Sequence, residues 1–217
     1  NAKELFQSKL NEIFSQKGKG WEEKTLKSIS IDFGRGKSKH RPRNFDKLYG
    51  GKYPFIQTGD IRNSGMYVLD HTQTYSELGL AQSKLWPKNT ICITIAANIA
   101  ESAITTFDCC FPDSVIGLVV DKNKANIFYT YYALQFLKSD IQSKSVGFAQ
   151  QNINLATFDR QFFPFPKNLT EQNKYVTQLD QLLEQTNLLQ EKYKQKHANL
   201  EELKKSILEK AFKGELV

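Results

Sequence analysis

The hydrophobic pattern changes twice along the chain. Leu5, Phe6, Leu10, Ile13 and Phe14 recur at helical spacing, which predicts a short helix over residues 2–15, broken by "SQKGKG". From Trp21 to about Phe165 the apolar runs are short and mixed. "TLKSISIDF", "GMYVLD", "NTICITIA" and "SVIGLVVD" read as strands, the last apolar enough for a buried one. "YPFIQTGDI" reads as a strand running into a turn and "SELGLAQSKL" as a helix or turn. "IFYTYYALQFLKSDIQSK" reads as an aromatic-rich helix. The prolines of "FFPFPKN" are expected to stop regular structure.

The stretch from Thr170 to Phe212 contains neither Pro nor Gly. With Leu179 at heptad position a, seven of the ten a and d sites are apolar or aromatic: Leu179, Leu182, Leu189, Tyr193, Leu200, Leu203 and Ile207. Thr186, Lys196 and Lys210 are the polar exceptions. This predicts one long helix, started by Asn168 or Thr170 and ended by Gly214. At 1.5 Å per residue it would reach about 60 Å, beyond the roughly 35–40 Å diameter of a domain this size. Part of the stripe is therefore expected to meet another helix or chain.

These patterns give an α+β (mixed α/β) fold in three parts: a short helix over 1–18, a domain over 19–167, and a long coiled-coil-type helix over 168–217. With 217 residues, 40% of them hydrophobic, the chain can bury a real core. It has no apolar run of about 18 residues that would span a membrane. Its first residues are polar and helical in pattern rather than a signal peptide, and they lack an initiator Met, which suits a start inside a longer gene product. Cys92, Cys109 and Cys110 fit no zinc spacing and read as reduced, small apolar residues of a cytoplasmic protein.

The net charge of +7 is unevenly placed. From Thr170 onward eight Lys face eight acids, so the excess lies before that point. Phe33 to Arg62 holds eight basic residues, Arg35, Lys37, Lys39, Arg41, Arg43, Lys47, Lys52 and Arg62, against only Asp46 and Asp60. Such a stretch is the footprint of a polyanion binder. Catalytic signatures are missing. There is no phosphate-loop spacing, no G-x-G-x-x-G and no Cys/His cluster for a metal; His40, His71 and His197 are scattered. Asp60 and Asp108 are lone carboxylates, and an Asp after Gly reads as a turn former. A non-catalytic binding protein without its own metal or cofactor is expected.

Four motifs occur in order: "YPFIQTGDIR" (53–62), "GFAQQNINLATF" (147–158), "FFPFP" with "LTEQ" (162–172), and "LEELKKSILEKAFKGEL" (200–216). Together with "NAKELFQSKLNEIF" and "GWEEKTL" near the start, they resemble the specificity subunits of type I restriction–modification enzymes. The resemblance spans nearly the whole chain. It implies a target-recognition domain followed by a conserved helix. Subunits of that family usually carry two recognition domains held apart by two antiparallel helices, each reading half of a bipartite DNA site. Two modification subunits supply methyl transfer and restriction subunits supply cleavage, so S-adenosylmethionine, ATP and Mg would belong to those partners. One recognition domain and one full long helix make this chain a half-subunit or the second half of a longer one. It would pair with a second copy or second half through the helix.

The residues divide the labour of DNA recognition. Cationic side chains supply salt-sensitive phosphate contacts, and Arg35, Lys37, Ser38, Lys39, His40, Arg41 and Arg43 lie in a Gly- and Pro-bearing loop able to follow a groove. Base edges need directed donors and acceptors, with Asn and Gln matching adenine and Arg matching guanine. Gln57, Thr58, Arg62, Asn98, Gln150, Gln151 and Asn152 are the candidates, with Asn154 nearby. The carboxamides of "AQQNIN" have a second open role, bracing the loop backbone. A coiled-coil adaptor whose basic domain binds an acidic protein is the competing reading.

Overall fold

The computed structural model describes residues 2–15, 19–39, 42, 44–96, 100–145, 155, 158 and 160–214. The chain divides into two compact units, residues 1–12 with 177–217, and residues 13–176.

The larger unit is α+β. In chain order its elements are β1 (Trp21–Lys24), β2 (Ser30–Arg35), β3 (Tyr49–Phe55), α2 (Thr58–Asn63), β4 (Tyr67–Val68), β5 (Gln73–Tyr75), α3 (Glu77–Ala81), β6 (Ile91–Thr94), β7 (Ser102–Thr105), β8 (Val115–Val120), α4 (Ile127–Ser145) and β9 (Phe163–Pro166). Helix α1 (Ala2–Phe14) precedes them and α5 (Leu169–Phe212) follows. The main sheet runs β2-β8-β6-β7-β4, antiparallel except where β4 joins β7. Two-stranded ribbons, β1 with β9 and β3 with β5, flank it.

Alternation along the central strands sorts their side chains onto two faces. Ile91, Ile93, Ile104, Ile116 and Leu118 share one face by register. Helix α4 covers it, Gln135 donating to Ser102 Oγ at 2.9 Å and Lys138 pairing with Glu101 at 2.8 Å. On the other face Cys92, Ala103 and Val115 pack with Trp86 and Phe111. The Trp86 and Phe111 rings stack at 5.1 Å directly over Gly117, where a Cβ would lie 2.7 Å from Phe111 and 2.8 Å from Trp86. The glycine inside "SVIGLVV" is therefore a close-approach position. A smaller core of Leu48, Phe55, Tyr75 and Cys110 sits beneath the β3–β5 ribbon.

The segment "FFPFP" departs from expectation, because its prolines do not end regular structure. β9 pairs with β1 in the register Trp21↔Pro166 and Glu23↔Pro164. Lys167 N continues the ladder to Gly20 O at 2.8 Å, so the odd-numbered amides face β1. Pro164 and Pro166 occupy the even positions, whose missing N–H groups would point away from the partner, the one phase in which an edge strand tolerates proline. "TLKSISIDF" is also shorter than its pattern, with a turn through Thr25–Ser28 before β2.

Gln172 joins this closing ribbon to two helices. Fully buried, it accepts from Asn126 N at 2.8 Å and donates to Pro166 O at 2.9 Å. Asn126 in turn caps α4, its Oδ1 accepting from Phe128 N and Tyr129 N, and its Nδ2 reaches Asn173 Oδ1 at 2.6 Å. Asn168, rather than Thr170, caps α5, accepting from Thr170 N at 2.8 Å. Gln172→Ala leaves a part-buried amide and a buried carbonyl unpaired, so it should lower unfolding free energy by about 1–3 kcal/mol, read from urea denaturation at an unchanged m-value.

The smaller unit pairs α1 with the first part of α5's free length. Leu5, Ser8, Lys9 and Glu12 face Gln178, Gln181, Leu182 and Gln185 across a shallow groove of about 360 Å³. α5 is 44 residues long, about 66 Å at 1.5 Å per residue. Of the seam residues, Leu179 is buried and Leu182 half-buried. Leu189, Tyr193, Leu200, Leu203 and Ile207 are 42–64% exposed. No described residue of 191–214 is covered. Over this length the heptad positions therefore present an apolar stripe to solvent.

Candidate nucleic-acid interface

The basic loop leaves the sheet at the end of β2 and is fixed at its root. Gly36 N donates to Val115 O at 2.8 Å and Lys37 N to Phe111 O at 3.1 Å. Ser83 Oγ donates to Lys37 O at 2.8 Å, and Arg35 Nε to Asp113 O at 2.7 Å. Gly36 fits because it has no side chain: a Cβ there would meet Phe111 O at 2.3 Å and Pro112 O at 2.4 Å. The far end returns through a 3-10 turn at Asp46–Leu48, tied to α3 by Ser76 N to Leu48 O at 2.8 Å.

Between these anchors Arg35, Lys37, Lys39 and Lys47 are exposed. Ser38 is turned inward and hydrogen-bonds Tyr75, whose phenol burial pushes up from its ordinary range. Lys52 is already engaged, with Glu77 at 3.1 Å and its ammonium over the Tyr53 ring at 5.2 Å. Hydrogen bonds to Glu77 and Tyr53 raise the Lys52 pKa, and bonds from Tyr53 and Lys52 lower that of Glu77. His40, Arg41, Arg43, Asn98, Gln150, Gln151, Asn152 and Asn154 lie outside the described residues.

The motif "QTGDIR" folds as a short helix rather than a turn. Gln57 and Asp60 form a capping box at the start of α2, Gln57 N donating to Asp60 Oδ2 at 2.7 Å. The other carboxylate oxygen accepts from Thr72 Oγ1 at 3.2 Å. Asp60 is thus a structural carboxylate that ties α2 to the bend leading into β5. Thr58 is half-buried in the first turn, and Arg62 is exposed on the last. Beside them an open cleft of about 420 Å³ is lined by Asn63, Tyr67, His71 and Thr72, among others.

Three free cysteines are buried under this surface. Burial pushes the Cys109 thiol up to about 12 and raises Cys92 and Cys110 as well. They stay protonated near neutral pH and do not act as nucleophiles. Among the described residues no group of three His, Cys, Asp or Glu is placed to hold a metal. Nor is any described helix long and apolar enough to cross a membrane.

A mixed α/β unit with a rooted basic loop is thus followed along the chain by a long helix. The chain belongs to the type I restriction modification DNA specificity domain family, whose model matches residues 18–197. Solved structures share the fold. The HsdS subunit from Thermoanaerobacter tengcongensis aligns with a TM-score of 0.73 at 23% identity, over 99% of this chain and 51% of that one. A chain from a structure described as the basis of complex assembly and conformational transition of the type I R-M system gives 0.78 at 22% identity, over 99% and 52%. The S subunit of a type I restriction–modification system from M. genitalium gives 0.59 at 19% identity, over 96% and 53%. The chain spans about half the length of these proteins.

Gly36→Ala should move the loop root off the Phe111–Pro112 backbone. The expected cost is about 1–3 kcal/mol of stability, with faster proteolysis within 37–45 than in the parent under native conditions.

Proposed function

We propose that this chain is the non-catalytic, sequence-specific DNA-recognition part of a type I restriction–modification system, reading one half of a bipartite target. The observation that carries the reading is the exposed cationic loop, rooted on the sheet, in a chain that belongs to the specificity-domain family. Lys37, Lys39 and Lys47 would neutralise phosphates and release counterions, supplying affinity without sequence information. Base-edge contacts would come from the carboxamides and Arg62 at α2. S-adenosylmethionine, ATP and Mg then belong to modification and restriction subunits, whose chemistry this chain aims.

Binding to random duplex DNA should fall steeply as salt rises, each phosphate contact adding about 0.9 to the log–log slope. Replacing Arg35, Lys37, Lys39, Arg41 and Arg43 together by Ala should abolish that binding and leave assembly intact. Affinity indifferent to salt would refute the reading, and assembly without DNA binding by the parent chain would support an adaptor instead.

The long helix would pair with a second copy or with the second half of a longer subunit. Its stripe from Leu189 to Ile207 is exposed and apolar apart from Lys196. Leu189→Glu combined with Leu203→Glu should shift sedimentation from the paired species to the monomer. An unchanged sedimentation coefficient would place assembly on another surface.

A further inference from the structure

We infer that Gln73 is the base-reading carboxamide of this surface, that Gln57 is its buttress, and that the base it suits is adenine. The inference deepens the DNA-recognition reading and rests on it. Gln73 lies on β5, held by its pairing with Phe55 of β3. Its Oε1 accepts from Gln57 Nε2 at 2.9 Å, and both residues are exposed. Gln57 is itself fixed. Its backbone amide donates to Asp60 Oδ2 at 2.7 Å, and its side chain turns back toward the Asp60 amide in the capping box. Asp60 also takes the hydroxyl of Thr72, the residue before Gln73, at 3.2 Å. One carboxylate thus holds both the start of α2 and the strand that carries Gln73.

This arrangement decides which glutamine is free to read. A base reader must offer a donor and an acceptor side by side. The Gln57 carbonyl is directed at the helix start and one of its amide hydrogens goes to Gln73, so both of its polar atoms are already engaged. Gln73 keeps both Nε2 hydrogens unpaired among the described residues, and one lone pair remains on its Oε1. That edge is complementary to adenine, whose N7 accepts and whose N6 amino group donates in the major groove; guanine presents two acceptors there and would face Oε1 with O6 or N7. A side chain already held in place also gives up less rotamer freedom on binding. Arg62, exposed on the same short helix as the capping box, is placed for a neighbouring phosphate or guanine.

The test uses the full chain assembled with its modification subunits, scored by methylation or binding across a randomised duplex pool. Gln73→Ala should lose discrimination at one adenine position by roughly 5- to 150-fold, the span of one bidentate base contact. Affinity for random duplex should stay at the parent value. Replacing that adenine by 7-deazaadenine, which lacks N7, should weaken the parent complex and leave the Gln73→Ala complex no weaker than before. Gln57→Ala should blunt the same position and no other. A Gln73→Ala sequence profile identical to the parent's, or equal weakening of parent and variant by the modified base at every adenine, overturns the inference while leaving DNA recognition standing. A parent complex with no sequence preference at all refutes the reading beneath it. The modified-base arm with the parent protein needs no variant to fold: a parent complex indifferent to 7-deazaadenine throughout its target also overturns the inference.

Discussion

The larger unit depends on how the backbone of residues 109–115 satisfies its polar groups. This segment follows β7 and is buried except at Asp113 and Ser114, so its buried amides and carbonyls must find partners within the protein. Cys109 exchanges bonds with Trp86, Cys110 N donates to Pro54 O, and Cys110 O accepts from Ile56 N. Phe111, Ser114 and Val115 then supply carbonyls to Lys37, Ile95 and Gly36. One short segment therefore aligns the Trp86 core, the β3–β5 ribbon and the root of the basic loop. Phe111 adds packing to the same point by stacking with Trp86 over Gly117. A side chain at either Gly36 or Gly117 would disturb several elements together.

That rooting suits what the loop is proposed to do. Phosphate contacts tolerate some play, since charge acts without a fixed geometry, whereas reading a base edge needs donors held within tenths of an ångström. The cationic residues stand out from a fixed root, and the carboxamides sit on α2 and β5, short elements held to each other by Asp60. On the proposed reading, affinity and specificity would come from different backbone environments.

The long helix shows the opposite condition. Its first turns belong to the larger unit and are tied down by Gln172 and Asn126. Beyond Thr186 the heptad positions carry their apolar side chains into solvent. Lys196 and Lys210 interrupt the seam, and polar residues at such positions favour one register over sliding alternatives. Exposed leucines in this number are costly unless covered, so the pattern carries information about assembly that a single chain does not use.

Much of this was determined by the sequence alone. The helical periods of residues 2–15 and 170–212, the buried character of "SVIGLVV", and the basic stretch after Phe33 are local properties, and each survives folding because period and charge do not depend on distant residues. Family membership was legible for the same reason: the motifs around the recognition domain and its helix are contiguous. The tertiary structure decided what depends on partners far along the chain. It made "FFPFP" a strand, because β1 arrived on the side where its prolines are harmless. It turned Ser38 inward to Tyr75. It also brought Gln73 to Gln57 across sixteen positions and left the later residue with the open edge. A side chain's type is written in the sequence, but whether its donors are already spent is settled only when folding brings their neighbours together.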